Sequence, residues 1–74
     1  MYTSYLKNLM KLRKESDLTL TELGEVIGIS NQSVSRLERG GNVPSFFNLI
    51  AFADYFNVSI DYLIGRTENP KISK

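Results

Sequence analysis

The sequence predicts an all-α domain of five helices, and two patterns lead to that prediction. Apolar residues recur at intervals of three and four, which is the spacing of a helix with one buried face. A start signal, made of an apolar residue, a Ser or Thr cap and a second apolar residue four positions after the cap, occurs at 18–23, 29–34 and 58–63. The length of 74 residues suits one small domain, assigned here to residues 1–65, with residues 66–74 as a flexible tail or linker stub.

The composition argues against several classes of function. The chain has no cysteine and no histidine, so a disulfide framework, a thiolate metal site and the commonest general base are all absent. We therefore predict that the protein is not an enzyme and uses neither a metal nor a cofactor. No signal-peptide pattern occurs, and no apolar run approaches the roughly 18 residues of a membrane span. These absences predict a cytoplasmic protein with no membrane partner.

The charge of the chain is nearly balanced. Nine basic and eight acidic residues give a net charge of +1, which does not by itself indicate a nucleic-acid partner. The basic residues are concentrated near the N-terminus, at Lys7, Lys11 and Lys14. An ordinary solvated helix face explains these lysines as well as a nucleic-acid contact does.

The first helix is expected to begin near Thr3 or Ser4 and to end at about Ser16. The residues expected on its buried side are Leu6, Leu9, Met10 and Arg13. An arginine there needs a carboxylate partner, because an unpaired buried charge is very costly. Glu38 directly follows an apolar position at the end of the third helix, so we predict an ion pair between Arg13 and Glu38.

Residues 20–37 predict two short helices joined by a tight turn. Gly28 suits the left-handed position that ends a helix, and Ser30 suits the cap of the next one. Gly24 lies inside the first of these helices, where glycine costs about 1 kcal/mol relative to alanine, so we expect a second helix to cross closely above it. This is the pattern of a helix-turn-helix, whose second helix usually enters the DNA major groove. A plain helical hairpin is the alternative.

The third helix, residues 31–38, carries the candidate base-reading residues. Because Val34 and Leu37 are expected to face inward, the polar residues point outward, and none of them is acidic. These outward residues are Asn31, Gln32, Ser35 and Arg36. Asn and Gln form paired hydrogen bonds with adenine, and Arg does so with guanine. The alternative interpretation is the polar face that any exposed helix shows.

The remaining helices are expected to complete the core. Ser45 caps a fourth helix over residues 46–56, and a short fifth helix follows over residues 60–64. The predicted inward stripe of the fourth helix is Phe46, Leu49, Ile50, Ala53 and Phe56. Phe47 and Tyr55 are expected to point outward, and large exposed aromatic residues on a small domain suggest a contact surface.

Residues 5–65 resemble the Cro/C1-type, or XRE-family, helix-turn-helix domains of bacterial and phage repressors. The strings LTLTELGEVIGIS, SVSRLERG, VPS and NVSIDYLIG occur in the order and spacing of that family. The resemblance implies a compact, five-helix, lambda-repressor-like DNA-binding domain. The family's base-reading positions match Asn31, Gln32 and Arg36, with Ser33 and Ser35 as lesser candidates. The resemblance also implies an arginine in helix one paired with the glutamate that ends helix three, which matches Arg13 and Glu38.

The same resemblance implies phosphate contacts, although this chain departs from the family at two places. Leu20 stands where many relatives have a phosphate-binding glutamine, and the loop after the third helix lacks the basic residues that are frequent there. The residues expected to contact phosphate instead are Thr21, Arg39, Lys11 and Asn42. Fewer phosphate contacts predict a shallower dependence of binding on salt.

A lone domain of this size contacts one half-site, so useful affinity requires a dimer. Family members commonly pair through the fifth helix and its surroundings, or through an added C-terminal domain. The residues expected at the dimer surface are Tyr55, Ile60, Tyr62 and Ile64. The predicted function is sequence-specific regulation of transcription, as a repressor that reads a double-stranded DNA operator with helix 31–38 as a homodimer. A protein antirepressor or effector domain is a further expected partner.

Two other functions are compatible with the sequence. The domain would act as a protein-interaction module if it bound a partner through Phe47, Tyr55 and the fifth helix, and Leu20 slightly favours this alternative. An antitoxin or controller protein that regulates its own operon would use the same DNA-binding surface. In either regulatory role the protein is expected in the cytoplasm, associated with the nucleoid.

Overall fold

The computed structural model describes residues 5–71, and within that range it has five helices and no strand. The helices are α1 (Leu9–Glu15), α2 (Leu20–Ile27), α3 (Asn31–Arg39), α4 (Phe46–Phe56) and α5 (Ile60–Ile64). The predicted all-α class and number of helices are confirmed, and α3 extends one residue beyond the predicted end. None of the described helices has the length and apolar character needed to cross a bilayer.

Local hydrogen bonds define both ends of most helices. In four of them the hydroxyl of the cap residue accepts the backbone N–H three residues later; these caps are Thr19, Ser30, Ser45 and Ser59. The residues that end the same four helices adopt the left-handed conformation, and they are Gly28, Gly40, Asn57 and Gly65. Because each cap bond joins residues three apart, short stretches of sequence are enough to predict these boundaries.

The start of α1 differs from the prediction, because the helix begins directly after Asn8 rather than near Thr3 or Ser4, which lie outside the described residues. The backbone N–H of Asn8 donates to the Leu63 carbonyl (3.1 Å), and its side-chain Nδ2 donates to the Tyr62 carbonyl (2.6 Å). The segment before α1 therefore supplies donors to two C-terminal carbonyls of α5. The Tyr62 carbonyl also accepts the Gly65 backbone N–H (3.1 Å). A helical start before Asn8 would remove it from this position.

All five helices contribute to one hydrophobic core. Its buried residues are Leu6, Leu9, Leu12, Leu23, Val34, Leu37, Phe52, Ala53, Val58, Tyr62 and Leu63. The prediction that Met10 faces this core is wrong, since Met10 is exposed. Leu12, three residues after Leu9, occupies the buried side of α1 instead.

The buried side of α4 is also rotated relative to the prediction. Phe46 is 67% exposed, whereas Phe52, which was not predicted to be inside, is completely buried. Phe52 and Ala53 form the centre of this side, and the half-buried Leu49 and Phe56 flank them at helical spacing. Phe46 lies one turn before this stripe, in the first turn of the helix.

Two backbone hydrogen bonds join the chain after α5 to the start of that helix and to its cap residue. The backbone N–H of Arg66 donates to the Asp61 carbonyl (2.8 Å), and the N–H of Ser59 donates to the Pro70 carbonyl (3.0 Å). The amide of Ser59 precedes the first turn of α5 and obtains its acceptor from this returning segment. Residues 72–74 lie outside the described range.

Candidate nucleic-acid interface

Helices α2 and α3 form a helix-turn-helix whose turn is tied to Gly24. The backbone N–H groups of Gly28 and Ile29 both donate to the Gly24 carbonyl, at 2.7 and 2.9 Å. A Cβ on Gly24 would lie 2.5 Å from the Ile29 carbonyl oxygen. The close approach expected at Gly24 is therefore present, but the neighbour is the backbone of the turn and not a second helix. The missing side chain lets the turn fold back over α2, and this sets where α3 begins.

The inner side of α3 is fully engaged with the rest of the domain. Val34 and Leu37 are buried in the core, and Glu38 is buried beside them. The outward side is left to Asn31, Gln32 and Arg36, and all three are exposed. The structure thus presents the three main base-reading candidates on one exposed helix face.

The two serine candidates are less available. The Ser33 hydroxyl accepts a hydrogen bond from the hydroxyl of the cap residue Ser30 (3.0 Å), and its backbone N–H donates to the same Ser30 oxygen (3.1 Å). Ser35 is half-buried, and its carbonyl accepts a long hydrogen bond from the Arg39 guanidinium (3.4 Å). Ser33 is committed to capping α3, so Asn31, Gln32 and Arg36 remain the stronger candidates.

An ion pair fixes the C-terminal half of α3 to α1. Arg13 donates to both carboxylate oxygens of Glu38, from Nε to Oε2 at 2.6 Å and from Nη2 to Oε1 at 3.2 Å. Its Nη1 also donates to the Leu18 carbonyl at 2.9 Å. The predicted pair is thus present, and the Leu18 carbonyl is a further acceptor for Arg13 that the sequence did not indicate. Hydrogen bonding to Glu38 raises the pKa of Arg13 above its ordinary value.

A shallow cavity of about 360 Å³ lies at the C-terminal end of α3. Its lining consists of Arg36, Arg39, Gly40 and Gly41. The two guanidinium groups carry positive charge, and no acidic residue contributes to the lining. Such a surface suits an anionic group, because guanidinium groups bind phosphate oxygens through paired hydrogen bonds.

The other residues expected to contact phosphate lie on separate elements. Thr21 and Asn42 are exposed. Lys11 is exposed too, but its ammonium lies 5.8 Å from the centre of the Tyr62 ring on α5. A hydrogen bond to the Tyr62 side chain raises the pKa of Lys11, so the lysine remains protonated there. Lys11 is therefore partly engaged with the domain itself.

The four residues predicted for a dimer surface differ in accessibility. Tyr55 is exposed, while Ile60 and Ile64 are half-buried and pack against the core. Tyr62 is only 7% exposed, which contradicts its expected place on an open surface. The Tyr62 ring is buried in the core, with Lys11 of α1 over it, so little of its surface is accessible to a partner.

Asn8 ties the start of α1 to the end of α5, a role that the sequence did not indicate. It stands directly before α1, where an asparagine would ordinarily cap the helix, but its side chain makes no cap bond. It donates instead to Tyr62, 54 positions away in the chain. The Asn-before-helix signal was visible in the sequence, but its partner was not.

A five-helix domain whose second and third helices form a tight helix-turn-helix, with α3 exposing Asn, Gln and Arg, belongs to the helix-turn-helix class of DNA-binding folds. Residues 9–63 match the model of the helix-turn-helix family. The chain belongs to the Cro/C1-type, or XRE, family of helix-turn-helix domains.

Individual proteins show the same relationship. The chain is 36% identical over 66 residues to the uncharacterized HTH-type transcriptional regulator YobD of Bacillus subtilis. The aligned region covers 89% of this chain and 59% of YobD. It is 39% identical over 59 residues to the antitoxin PezA of Streptococcus pneumoniae, which covers 80% of this chain and 37% of PezA. The chain thus spans about three fifths or less of these two relatives.

A solved structure of the P22 c2 repressor in complex with a synthetic operator has the same fold. It superposes with a TM-score of 0.76 at 28% sequence identity, covering 85% of this chain and 96% of the repressor chain. The lambda-repressor-like architecture expected from the sequence is therefore confirmed.

Proposed function

We propose that this chain is a sequence-specific DNA-binding regulator of transcription that acts as a repressor. One observation carries the proposal: the exposed side of α3 offers Asn31, Gln32 and Arg36 and no carboxylate, since the only acidic residue of α3, Glu38, is buried in its ion pair. Asn and Gln suit adenine and Arg suits guanine in the major groove. The helix that presents them is held by core packing and by the ion pair, so the three side chains start from a rigid base.

The contacts to the DNA backbone come from residues around α3. Arg39 lies beside Arg36 in the positively charged cavity. Thr21, Asn42 and Lys11 are the other proposed phosphate contacts. With so few cations near α3, affinity is expected to fall only moderately as salt rises.

A dimer is part of the proposal, because a single module buries only about 600 to 1,000 Å² on DNA. Beside α5 lies a groove of about 350 Å³ lined by apolar residues and two aspartates. Its lining includes Ile50, Val58, Ile60, Asp54 and Asp61. Together with Tyr55 and Ile64, this groove is the surface proposed for dimerisation. Tyr62 does not contribute to it, because its side chain is buried. Two half-sites about one helical turn apart would match such a dimer.

Selection of bound sequences from a pool of random duplex DNA tests the proposal directly. An enriched inverted repeat with a spacing of about one helical turn would support both sequence-specific recognition and a dimer. An enriched single half-site would support recognition by a monomer. If the protein enriches no sequence at low or at moderate salt, the proposed function is wrong.

Replacement of Arg36 separates base reading from backbone binding. We expect Arg36→Ala to lose about 1 to 3 kcal/mol of binding free energy on the selected duplex and little on random duplex DNA. Arg39→Ala, a matched arginine in the same cavity, should weaken binding to both duplexes by similar factors. Both dissociation constants can be measured by fluorescence anisotropy. Equal effects of the two substitutions would contradict the assignment of Arg36 to base reading.

A second function is favoured by one specific observation. Phe46 and Phe47 are both largely exposed at the start of α4, and Phe47 reaches 82% exposure. A protein-interaction module would use such residues, and a protein antirepressor or effector domain could bind there while α3 reads DNA. The relationship to PezA also supports an antitoxin or controller protein that regulates its own operon. Since bacterial and phage operators are cytoplasmic, we expect the chain to act there, bound to the nucleoid.

A further inference from the structure

A side-chain hydrogen bond joins the first turns of α2 and α3. Asn31 Nδ2 donates to the Thr21 hydroxyl oxygen at 3.1 Å. Thr21 is the second residue of α2, and Asn31 is the first residue of α3. The bond therefore links a proposed phosphate contact directly to a proposed base reader, across the turn of the helix-turn-helix.

We infer that Thr21 is a specificity-determining positioning residue, which holds the Asn31 side chain in place for reading one adenine in each half-site. The inference rests on the proposed function, since it assigns a role within that same DNA-binding surface. Thr21 does not itself contact the base and acts through Asn31.

The donors and acceptors of Asn31 fit this role. Its amide has two N–H donors and a carbonyl oxygen, and the bond to Thr21 uses one N–H. One N–H and the oxygen remain, and adenine presents the matching pair in the major groove, the N7 acceptor and the N6 donor. Holding Asn31 in this way leaves its base-reading pair free and removes side-chain rotations that binding would otherwise have to restrict.

Thr21 is suited to be the fixed partner. Its β-branched side chain has few accessible rotamers, and its backbone is held in the first turn of a helix with a complete capping box between Thr19 and Glu22. As an acceptor from Asn31, the hydroxyl keeps its own proton, which can be donated to a phosphate oxygen. A single hydroxyl would then couple the position of the DNA backbone to the orientation of Asn31.

The hydrogen bond between Thr21 and Asn31 contributes little to the stability of the fold. Both Thr21 and Asn31 are exposed, so water replaces either partner when the bond is broken. At a protein–DNA interface much of that water is displaced, and the orientation of Asn31 then affects the choice of base. Loss of Thr21 is accordingly expected to change sequence preference more than stability.

Substitution at Thr21 tests the inference in the full chain. Thr21→Val keeps the shape of the side chain and removes the hydroxyl, whereas Thr21→Ser keeps the hydroxyl. Thr67→Val is the matched control. It removes a threonine hydroxyl that accepts the Asn69 backbone N–H beyond α5, away from the helix-turn-helix. The wild-type chain and the three variants are first compared by thermal unfolding, and then by selection from the same pool of random duplex DNA.

The decisive readout is a specificity ratio: the dissociation constant for a duplex with G·C in place of the A·T pair assigned to Asn31, divided by the dissociation constant for the selected duplex. We expect Thr21→Val to lower this ratio about threefold to tenfold, the worth of one net hydrogen bond. Thr21→Ser and Thr67→Val should leave it unchanged. Because both duplexes share the backbone, a lost phosphate contact cancels in the ratio.

A double substitution shows whether Thr21 acts through Asn31. In an Asn31→Ala background, Thr21→Val is expected to have no further effect on the ratio. The inference is overturned if Thr21→Val keeps the wild-type ratio, or if it lowers the ratio equally with and without Asn31. If the wild-type chain enriches no sequence, the proposed function fails and this inference fails with it; enrichment with an unchanged ratio overturns the inference alone.

Discussion

Glu38→Ala is expected to lower the free energy of unfolding by about 3 to 5 kcal/mol. The substitution leaves the Arg13 guanidinium, whose side chain is only 13% exposed, with the Leu18 carbonyl as its remaining partner. Burying a charge without its counter-ion is the reason for the large cost. Urea denaturation followed by circular dichroism would measure it.

The chain contains a matched control for this substitution. Arg66 and Asp61 form an exposed ion pair at 3.7 Å, so Arg66→Ala should cost less than about 1 kcal/mol. Replacing both partners of the buried pair, as Arg13→Met with Glu38→Leu, should recover most of the lost stability, because no unpaired charge remains. A cost for Glu38→Ala no greater than that for Arg66→Ala would contradict the account of a buried pair.

Gly24→Ala is expected to destabilise the domain by about 3 kcal/mol, at the upper end of the range for overpacked interiors. The new methyl group would lie 2.5 Å from the Ile29 carbonyl oxygen and 3.3 Å from the Ser30 carbonyl carbon. These are backbone atoms, and the Ile29 amide is itself bonded to the Gly24 carbonyl, so the turn cannot move away easily. The gain of about 1 kcal/mol in helix propensity offsets only part of this cost.

Gly41→Ala serves as the control for Gly24→Ala. The added methyl group would meet only the Arg36 side chain and carbonyl at 3.7 Å, an ordinary contact distance. We expect its stability to stay within about 0.5 kcal/mol of wild type. Thermal unfolding of the two variants side by side would show the difference, and similar melting temperatures would mean that the turn adapts to the methyl group.

Glu38→Ala and Gly24→Ala each disturb an interaction that fixes the orientation of α3. Gly24 sets how closely the turn approaches α2, and the ion pair holds the other end of α3 against α1. Core packing of Val34 and Leu37 lies between them. A shift at either support would move the base-reading residues together, so variants at Gly24 or Glu38 that still fold are expected to lose sequence preference as well.

The sequence alone was sufficient for the features that depend on neighbours within one helical turn. Caps such as Thr19 and Ser30, and the left-handed residue Gly28, depend on bonds between residues three or four positions apart. The exposed face of α3 also followed from the sequence, because Val34 and Leu37 leave only one way to turn the helix. The pair between Arg13 and Glu38 spans 25 positions, but a cation on an apolar face required a carboxylate, and the family resemblance indicated the same two residues.

The tertiary structure alone decided where each buried face begins and what the described segments before α1 and after α5 contact. Asn8 ends the N-terminal turn because it bonds to α5, and Pro70 returns to the same helix. Leu12 is buried in place of Met10, and Phe52 in place of Phe46, because helical spacing permits several neighbouring stripes on a helix with many apolar residues. The choice among them depends on which other helices lie opposite. Tyr62 differs from its predicted place on the surface for the same reason: a tyrosine suits either environment, and only the tertiary structure places its ring in the core.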